Sequence, residues 1–247
     1  MQLSPLFHVR YKRFGFSVHD RFLSSATEQD ADIQYYIQSP DNVSNALNVF
    51  HTLLIDLAQD EETIRKGIYH RTRSEIMSFT RNQEFEHTVI TNPTAAELND
   101  FMNLFNEFAV AKRIRKAESF RLKAYRHHGL LALSYIRQNG HYLCINFYRV
   151  NIQRATNLYS FNLKHTRPAF NASHYGRGHR ALHWLDILFF KKQGVAYYDF
   201  CGWYDGSEDQ ELLNINRFKE QFTTYKVKEY SGVIYRHPFL KFMKKLR

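Results

Sequence analysis

Two glycines and several basic side chains precede a helical pattern, and residues of these types are suited to binding phosphate. The stretch HYGRGHR at 174–180 holds Gly176 and Gly178, and ALHWLDILFFKK follows it with helical apolar spacing. Glycine has no Cβ, so a phosphate can approach its backbone closely, and free N–H groups at a helix start favour an anion. We therefore predict a helix from about 179 to 192 with a pyrophosphate site at its start; a mobile loop that feeds a core helix is the competing interpretation. The residues assigned to this site are Tyr175, Gly176, Arg177, Gly178, His179 and Arg180.

Two further patterns could do chemistry, and a structural role is favoured for each. His179, His183 and Asp186 have i, i+4, i+7 spacing, which could present a metal site. The polar side of an amphipathic helix is the simpler interpretation, and no metal is expected. Cys201 could be an acyl-carrying nucleophile, but a small buried cysteine is the simpler interpretation. Cys201 and Cys144 form no CxxC pair, which argues against structural zinc or a disulfide and fits a reducing cytoplasm.

The chain is long enough for one large domain and is strongly basic. Its 247 residues are 44% hydrophobic and 16% aromatic, which indicates a well-packed globular protein. The formal charge of +10 favours polyanionic partners, namely nucleic acid, an acidic membrane surface or a small ligand with several phosphates. Ordinary solubility also accounts for such a charge. No run of 18 apolar residues occurs, so neither membrane insertion nor secretion is expected.

The elements that must position these residues indicate an α/β fold with a mixed, mostly antiparallel sheet flanked by helices. Residues 1–84 are expected to be mainly helical, because apolar residues within 31–59 and 61–82 recur at helical spacing. Residues 85–247 are expected to form a second domain. Its predicted strands are 84–91, 119–126, 130–137, 141–150, 155–162, 195–200, 225–231 and 232–237, and its further predicted helices are 95–114 and 207–222.

Two connections within 85–247 define the predicted topology. Asn139-Gly140 is a hairpin signal, because both residues readily take positive φ. The strand at 155–162, the helix at about 179–192 and the strand at 195–200 form a crossover, with Gly194 as the helix stop. A crossover of this kind makes its two strands parallel.

This order of motifs resembles the GNAT superfamily of acyl-CoA-dependent N-acyltransferases. The family's phosphate loop reads Gln/Arg-x-x-Gly-x-Gly/Ala, and Ser173 through Gly178 would correspond to it, with Ser173 departing from the family's Gln or Arg. The likeness is closer to the branch akin to Fem-type aminoacyl transferases. It rests, in chain order, on HRTRSEI at 70–76, RATNLYS at 154–160, ALHWLDILFFKKQGVAYYDFCG at 181–202 and INRFKEQF at 215–222.

The resemblance implies a soluble enzyme that uses acyl-CoA as cosubstrate and acylates an amine. A backbone N–H near the end of the strand before the helix would polarise the thioester carbonyl. That N–H would belong to Ser160, Phe161 or Asn162. The candidates for the base that takes the amine's proton are His165, His174 and Asp199, with solvated loop histidines, a turn cap and no dedicated base as the alternatives.

The leaving thiolate and the acceptor have candidate residues in the last third of the chain. Many family members place a tyrosine in the helix corresponding to 215–222, and none stands there in this sequence. Asn214, Asn216 and Lys219 are the polar options, and Asn216 and Lys219 are assigned to cofactor binding. The residues assigned to the acceptor are Tyr159, Cys201, Trp203 and Tyr204.

Size and basicity are similar to those of bacterial enzymes that acylate a nucleotide-linked amino sugar for surface polysaccharide. Such an enzyme would transfer an acetyl or 3-hydroxybutanoyl group from CoA to a sugar such as a dTDP-linked 3-amino-3,6-dideoxyhexose. Both substrates are polyphosphorylated, which would account for the positive charge without nucleic acid. The alternatives are Fem-like aminoacyl or acyl transfer to a peptide or amino-acid amine, and a non-enzymatic basic nucleic-acid-binding protein. The N-terminal residues would complete the acceptor site or form a homodimer contact.

Overall fold

A ten-stranded mixed sheet forms the centre of the protein. The computed structural model describes residues 4–27, 30–82 and 84–240. The strands are β1 (His8–Arg13), β2 (Phe16–Phe22), β3 (Ile33–Ser39), β4 (Asn48–Asp56), β5 (Glu86–Thr91), β6 (Leu131–Gln138), β7 (His141–Val150), β8 (Arg154–Asn162), β9 (Tyr197–Asp199) and β10 (Lys226–Tyr235). Their order across the sheet is β1-β2-β3-β10-β4-β9-β8-β7-β6-β5. The helices are α1 (Glu61–Gly67), α2 (His70–Asn82), α3 (Ala95–Lys112), α4 (Ser119–His127), α5 (Ala172–Lys192) and α6 (Gln210–Glu220), with a 3₁₀ turn at Val43–Asn45.

Most neighbouring strands are antiparallel, and two pairs are parallel. β8 and β9 are parallel, as the predicted crossover through α5 requires. β2 and β3 form the other parallel pair. β10 lies between β3 and β4 and is antiparallel to both, so among the described strands it joins β1, β2 and β3 to the rest of the sheet.

The helical prediction for the N-terminal region is wrong as far as residue 56. β1 to β4 occupy that region, and helices begin only with α1 and α2. Leu53, Leu54 and Ile55 of β4 are all buried because this central strand is covered on both faces. A strand buried on both faces has a continuous apolar run, which a helical spacing count cannot separate from a buried helix.

A second error concerns 119–126, predicted as a strand and found in α4. Leu122, Ala124 and Tyr125 are buried on one side of this short helix, and their near-alternation with polar residues imitates strand spacing. The two strands predicted at 225–237 are one strand, β10, with an irregularity between Tyr230 and Gly232. The hairpin at Asn139-Gly140 is confirmed, with φ of 49° and 80°.

Alternate residues of β7 show that the helices cover opposite faces of the sheet. Asn146 and Tyr148 contact Asp186 of α5. Phe147, between them in sequence, contacts Phe105 of α3. Successive side chains of a strand point to opposite faces, so α5 lies on one face and α3 on the other. None of the helices within the described residues is long and apolar enough to cross a membrane.

Candidate functional site

The parallel strands β8 and β9 separate after three paired residues and leave an opening in the sheet. Their pairing ends at Thr156 with Asp199. Beyond this point β8 continues beside β7, as far as Asn162 opposite Cys144. The chain after β9 instead follows β4, since the Phe200 N–H donates to the Leu53 carbonyl at 3.0 Å. The edge of β8 from residue 157 onward therefore has none of the described strands beside it on the β9 side.

The closed end of this opening is held by a buried carboxylate. Asp199 has no exposed surface. It accepts hydrogen bonds from the Gln38 amide at 2.6 Å and from the Cys201 backbone N–H at 2.8 Å. Its remaining donors are Thr52, Thr156 and Arg154. With so many donors Asp199 anchors the end of β9, whereas the sequence suggested it as a base in a cleft.

A chain of hydrogen bonds runs through the α5 side of the opening and ends at Ser160. We call its members the relay: Asp186, Tyr148, Tyr198, His183 and Ser160. The Tyr148 hydroxyl donates to Asp186 at 2.6 Å, and the two tyrosine hydroxyls are 2.8 Å apart. His183 Nδ1 is 2.6 Å from the Tyr198 hydroxyl, and its Nε2 is 3.2 Å from the Ser160 hydroxyl.

The carboxylate fixes the direction of the protons from Tyr148 to His183. Because Tyr148 gives its proton to Asp186, it accepts the proton of Tyr198. Tyr198 must then accept from the Nδ1–H of His183, and this leaves His183 Nε2 as the acceptor that faces Ser160. Ser160 therefore has an unprotonated ring nitrogen 3.2 Å from its oxygen. This is the geometry in which a histidine can take a proton from, or through, a serine.

A second histidine completes the environment of Ser160. His179 Nε2 lies 2.7 Å from the Ser160 hydroxyl. Burial lowers the pKa of His179 to about 4, with the nearby Arg180 charge acting in the same direction. Burial also holds the pKa of His183 well below its ordinary value. Both rings are therefore neutral at pH 7.

The opposite face of the opening borders a cavity of about 420 Å³. Strands β3, β8 and β10 and helix α4 all contribute to its wall. The lining side chains used below are Tyr35, Phe50, Arg121, Tyr125, Arg149, Leu158, Tyr159 and Cys201. Burial, assisted by Asp199, raises the pKa of the Cys201 thiol to about 11, so this thiol is neutral.

The phosphate loop predicted at residues 175–178 is not formed as expected. α5 begins at Ala172, with the Asn171 side chain accepting from the His174 N–H, so Gly176 and Gly178 lie inside the helix. Close packing explains the glycine at position 178 instead, because a Cβ there would lie 2.9 Å from Leu143 of the sheet. The loop fails as a prediction because the helix cap precedes the glycines by several residues.

The other residues assigned to that loop have separate places. Arg177 and Arg180 line an open groove of about 490 Å³ beside α2, together with Glu75, Ser173 and Gly176. Arg180 is paired with Gln221 and lies 3.4 Å from Glu75. The Tyr175 hydroxyl is buried and bonds to the backbone of Arg167 and Ala169, which fixes the loop before α5.

The predicted base histidines are not brought to the opening. His174 is buried against Phe170, with its Nε2 at 2.6 Å from Gln138. His165 lies exposed on the loop after β8. The Phe161 side chain packs in the core with Phe105.

The segment after β9 is shaped by α6. Asn216 donates to the Tyr204 carbonyl at 2.7 Å and accepts from its N–H at 3.1 Å. The Lys219 ammonium bonds to the carbonyls of Cys201 and Gly202, and Trp203 pairs with His51 of β4. Both α6 residues thus hold the rim of the opening. Asn162 lies at the far end of β8, where its side chain accepts from the Lys164 N–H.

Several residues of this site were not selected from the sequence. His183 and Asp186 were noted only for a spacing that could present a metal site. In the described parts of the chain, no group of three or more His, Cys, Asp or Glu is arranged to hold a metal ion. Tyr148, Tyr198 and Arg149 were missed. Arg149 carried a usable signal, because a charged residue within the apolar strand HYLCINFYRV needs either a partner or a ligand.

Comparisons with known proteins agree with the fold. No protein-family model and no curated protein matches the chain. Among solved structures, FemX superposes with a TM-score of 0.59 at 12% identity over 78% of this chain, which spans only 64% of FemX. The C-terminal DUF2156 domain of a putative lysylphosphatidylglycerol synthetase from Agrobacterium fabrum gives 0.55 at 12% identity, covering 86% of this chain and 71% of that one. A conserved protein of unknown function from Bacteroides thetaiotaomicron gives 0.53 at 8% identity, covering 91% and 81%.

These likenesses define the class of fold. The protein has the fold found in FemX and in the DUF2156 domain, so the resemblance to Fem-type proteins is confirmed for the fold alone. At 12% identity the likeness does not extend to substrates.

Proposed function

We propose that the protein is an acyltransferase that joins an activated acyl or aminoacyl group to an amine within the opening between β8 and β9. The observation that carries this proposal is the separation of the two strands after Thr156 and Asp199. It leaves a strand edge whose backbone N–H groups are available to a ligand carbonyl. A carbonyl bound in this way becomes more electrophilic, because the N–H stabilises the negative charge that develops on its oxygen.

The relay supplies the proton acceptor. The amine nitrogen attacks the carbonyl carbon, the C–N bond forms, and the bond to the leaving group breaks. The nitrogen must lose a proton, and Ser160 can accept it while passing its own proton to His183 Nε2, 3.2 Å away. The leaving group takes up one proton, so the reaction is balanced without an oxidant or reductant.

The finer proposal names acyl-CoA as the donor and a nucleotide-linked amino sugar as the acceptor. The net charge of +10 supports it, since both compounds are polyphosphorylated. The groove that contains Arg177 supports donor binding, because the Nε of this arginine is buried and has no partner. Tyr35 and Phe50 of the N-terminal strands line the cavity, which supports a role of this region in completing the acceptor site.

Aminoacyl transfer of the Fem type is the second candidate. The likeness to FemX and to a domain of a putative lysylphosphatidylglycerol synthetase favours it. The opening and the relay serve an aminoacyl ester as well as a thioester, because both reactions take place at a carbonyl carbon. The donor therefore distinguishes the two candidates.

The test incubates the protein with each class of donor. One arm follows thiol release from acetyl-CoA and 3-hydroxybutanoyl-CoA with a panel of nucleotide-linked amino sugars. The other follows transfer of a labelled aminoacyl group from aminoacyl-tRNA to amine acceptors. We expect an amide product by mass spectrometry in one arm and a loss of at least about 100-fold in His183→Gln, the size typical of a lost acid–base group. Absence of product and of donor binding in both arms would remove the proposed function.

A further inference from the structure

The cavity beside the opening contains a buried arginine that is not fully paired. Arg149 is 2% exposed, and its guanidinium lies 4.4 Å from the ring centroid of Phe22. One nitrogen, Nη2, donates to Gln38 at 3.0 Å and to Thr156 at 3.2 Å. The other, Nη1, is buried and has no hydrogen-bond partner among the described residues. A buried charged donor without a partner is costly and normally has a ligand or a water to bind.

No carboxylate in the described residues forms an ion pair with Arg149. Two buried acidic groups in this region, Asp199 and Glu229, both pair with Arg154. The partners of Arg149 are a neutral amide and a neutral hydroxyl. Arg149 is therefore linked to the Asp199 carboxylate only through Gln38 and Thr156, and it lines the cavity without a direct ion pair among the described residues.

A second guanidinium lines the same cavity. Arg121 of α4 stacks on Tyr35 at 4.4 Å and pairs through Nε with Asp20 at 2.8 Å and through Nη1 with Glu118 at 2.7 Å. Its Nη2 is buried without a partner. The cavity thus presents two arginines, each with one unsatisfied nitrogen.

The strand register places this pair next to the opening. Arg149 is the cross-strand partner of Thr156, the last residue of β8 that pairs with β9. Tyr35, Tyr125 and Tyr159 form aromatic walls around the cavity. A ligand held by Arg149 would therefore lie at the place where the carbonyl chemistry is proposed.

We propose that this cavity binds the acceptor through an oxyanion, a carboxylate or a phosphoryl group, held by Arg149 and Arg121. Guanidinium groups bind both anions through paired N–H donors, which is the chemistry that the two free nitrogens supply. Calling the ligand the acceptor rests on the proposed function; the anion site itself does not. The acceptor would then be a compound that carries both an amine and an anion.

The test uses two matched pairs of amines in calorimetric titrations of the full chain. The phosphoryl pair is glucosamine 6-phosphate and glucosamine, and the carboxylate pair is 4-aminobutyrate and 4-aminobutan-1-ol. We expect the anionic member of one pair to bind at least about tenfold more tightly than its neutral partner. The same difference should disappear in Arg149→Gln and shrink in Arg121→Gln, and the pair that shows it identifies the anion.

The controls separate this site from other basic surfaces. Arg167→Gln removes one charge from an exposed ion pair with Glu107 and should bind as the wild type does. The double variant R177Q/R180Q tests the groove at α5. Circular dichroism checks that each variant is folded. If Arg149→Gln does not fold, the weaker binding expected for Arg121→Gln tests the proposed site instead.

Three results would overturn the proposal. They are equal or undetectable binding of both members of both pairs, unchanged binding in Arg149→Gln, and loss of binding in R177Q/R180Q alone. Anion binding without any acyl transfer would remove the proposed function and leave the site. Acyl transfer without any preference for anionic amines would remove the anion site and leave the proposed function.

Discussion

The relay on the α5 face and the two arginines on the cavity face differ in how completely their buried polar groups are paired. On the α5 face, each member of the relay from Asp186 to Ser160 has a hydrogen-bond partner within the protein. On the cavity face, Arg149 and Arg121 each keep one buried nitrogen without a partner. A closed network orients its members and resists change, whereas an incomplete one is completed by a ligand. Mutations should therefore affect stability on the α5 face and binding on the cavity face.

The largest effect is expected for Asp186→Ala. The change leaves the buried donors of Ser134, Asn146 and Tyr148 without their acceptor. The free energy of unfolding should fall by about 3–5 kcal/mol, measured by urea denaturation. Asp205→Ala, which removes a half-exposed carboxylate, is the control and should cost under about 1 kcal/mol. A loss as small as the control's would break the comparison.

Acid should weaken the α5 face next most strongly. The pKa of His179 is about 4 in the folded protein, against about 6.5 for an unfolded histidine. Between these values only the unfolded chain binds the proton, so stability falls as the pH drops from 6.5 to 4, by no more than about 3 kcal/mol for this residue. The lowered pKa of His183 likewise makes the folded protein less stable as the pH falls.

The check on this pH dependence is a series of denaturation curves from pH 7 to pH 4. His179→Gln should show a shallower fall than the wild type, and His127→Gln, which changes an exposed histidine, should follow the wild type. An identical slope in all three proteins would mean that His179 takes up its proton as easily in the folded state as in the unfolded one.

A glycine pair tests the packing of α5 on the relay face. A Cβ at Gly178 would lie 2.9 Å from Leu143, so Gly178→Ala should lower the free energy of unfolding by about 1–3 kcal/mol. Gly176→Ala meets only the Arg180 side chain at 3.4 Å and should stabilise the helix by about 0.5–1 kcal/mol. A lower melting temperature for Gly178→Ala and a higher one for Gly176→Ala would support the close packing of α5 against the sheet. Destabilisation by both changes would favour the loop conformation predicted from the sequence.

The smallest change in stability is expected for Arg149→Met. The substitution removes two hydrogen bonds and an unpaired buried charge, so the free energy of unfolding should change by no more than about 1 kcal/mol. Binding of the anionic amine should nevertheless be lost in calorimetry. A loss of several kcal/mol would assign Arg149 to the structural network and end the distinction between the faces.

The sequence predicts those parts of the fold whose patterns are local. The crossover through α5 and the hairpin at Asn139-Gly140 follow from periodicity and turn chemistry, and both are present. β4 was misread because a strand covered on both faces has no alternation. The pairing of β10 with β3 and β4 joins distant parts of the chain, and no local pattern reports it.

The candidate site was predictable only in part, for a related reason. Ser160 and His179 were selected for other roles, and their mutual contact depends on the packing of α5 on β8. Tyr148 and Tyr198 belong to different strands, and in the sequence they resemble ordinary core tyrosines. The glycines of α5 pointed to a loop, because only the structure shows Asn171 capping the helix before them.

The position of β10 has a consequence for synthesis of the protein. Within the sheet, β1 to β3 reach β4 solely through this last strand. A ribosome makes β1 to β4 well before residues 226–235, so the early strands wait for β10 before they can join the rest of the sheet. Nascent chains halted before residue 226 would keep β3 and β4 as bare edges, open to chaperones and to pairing with other chains.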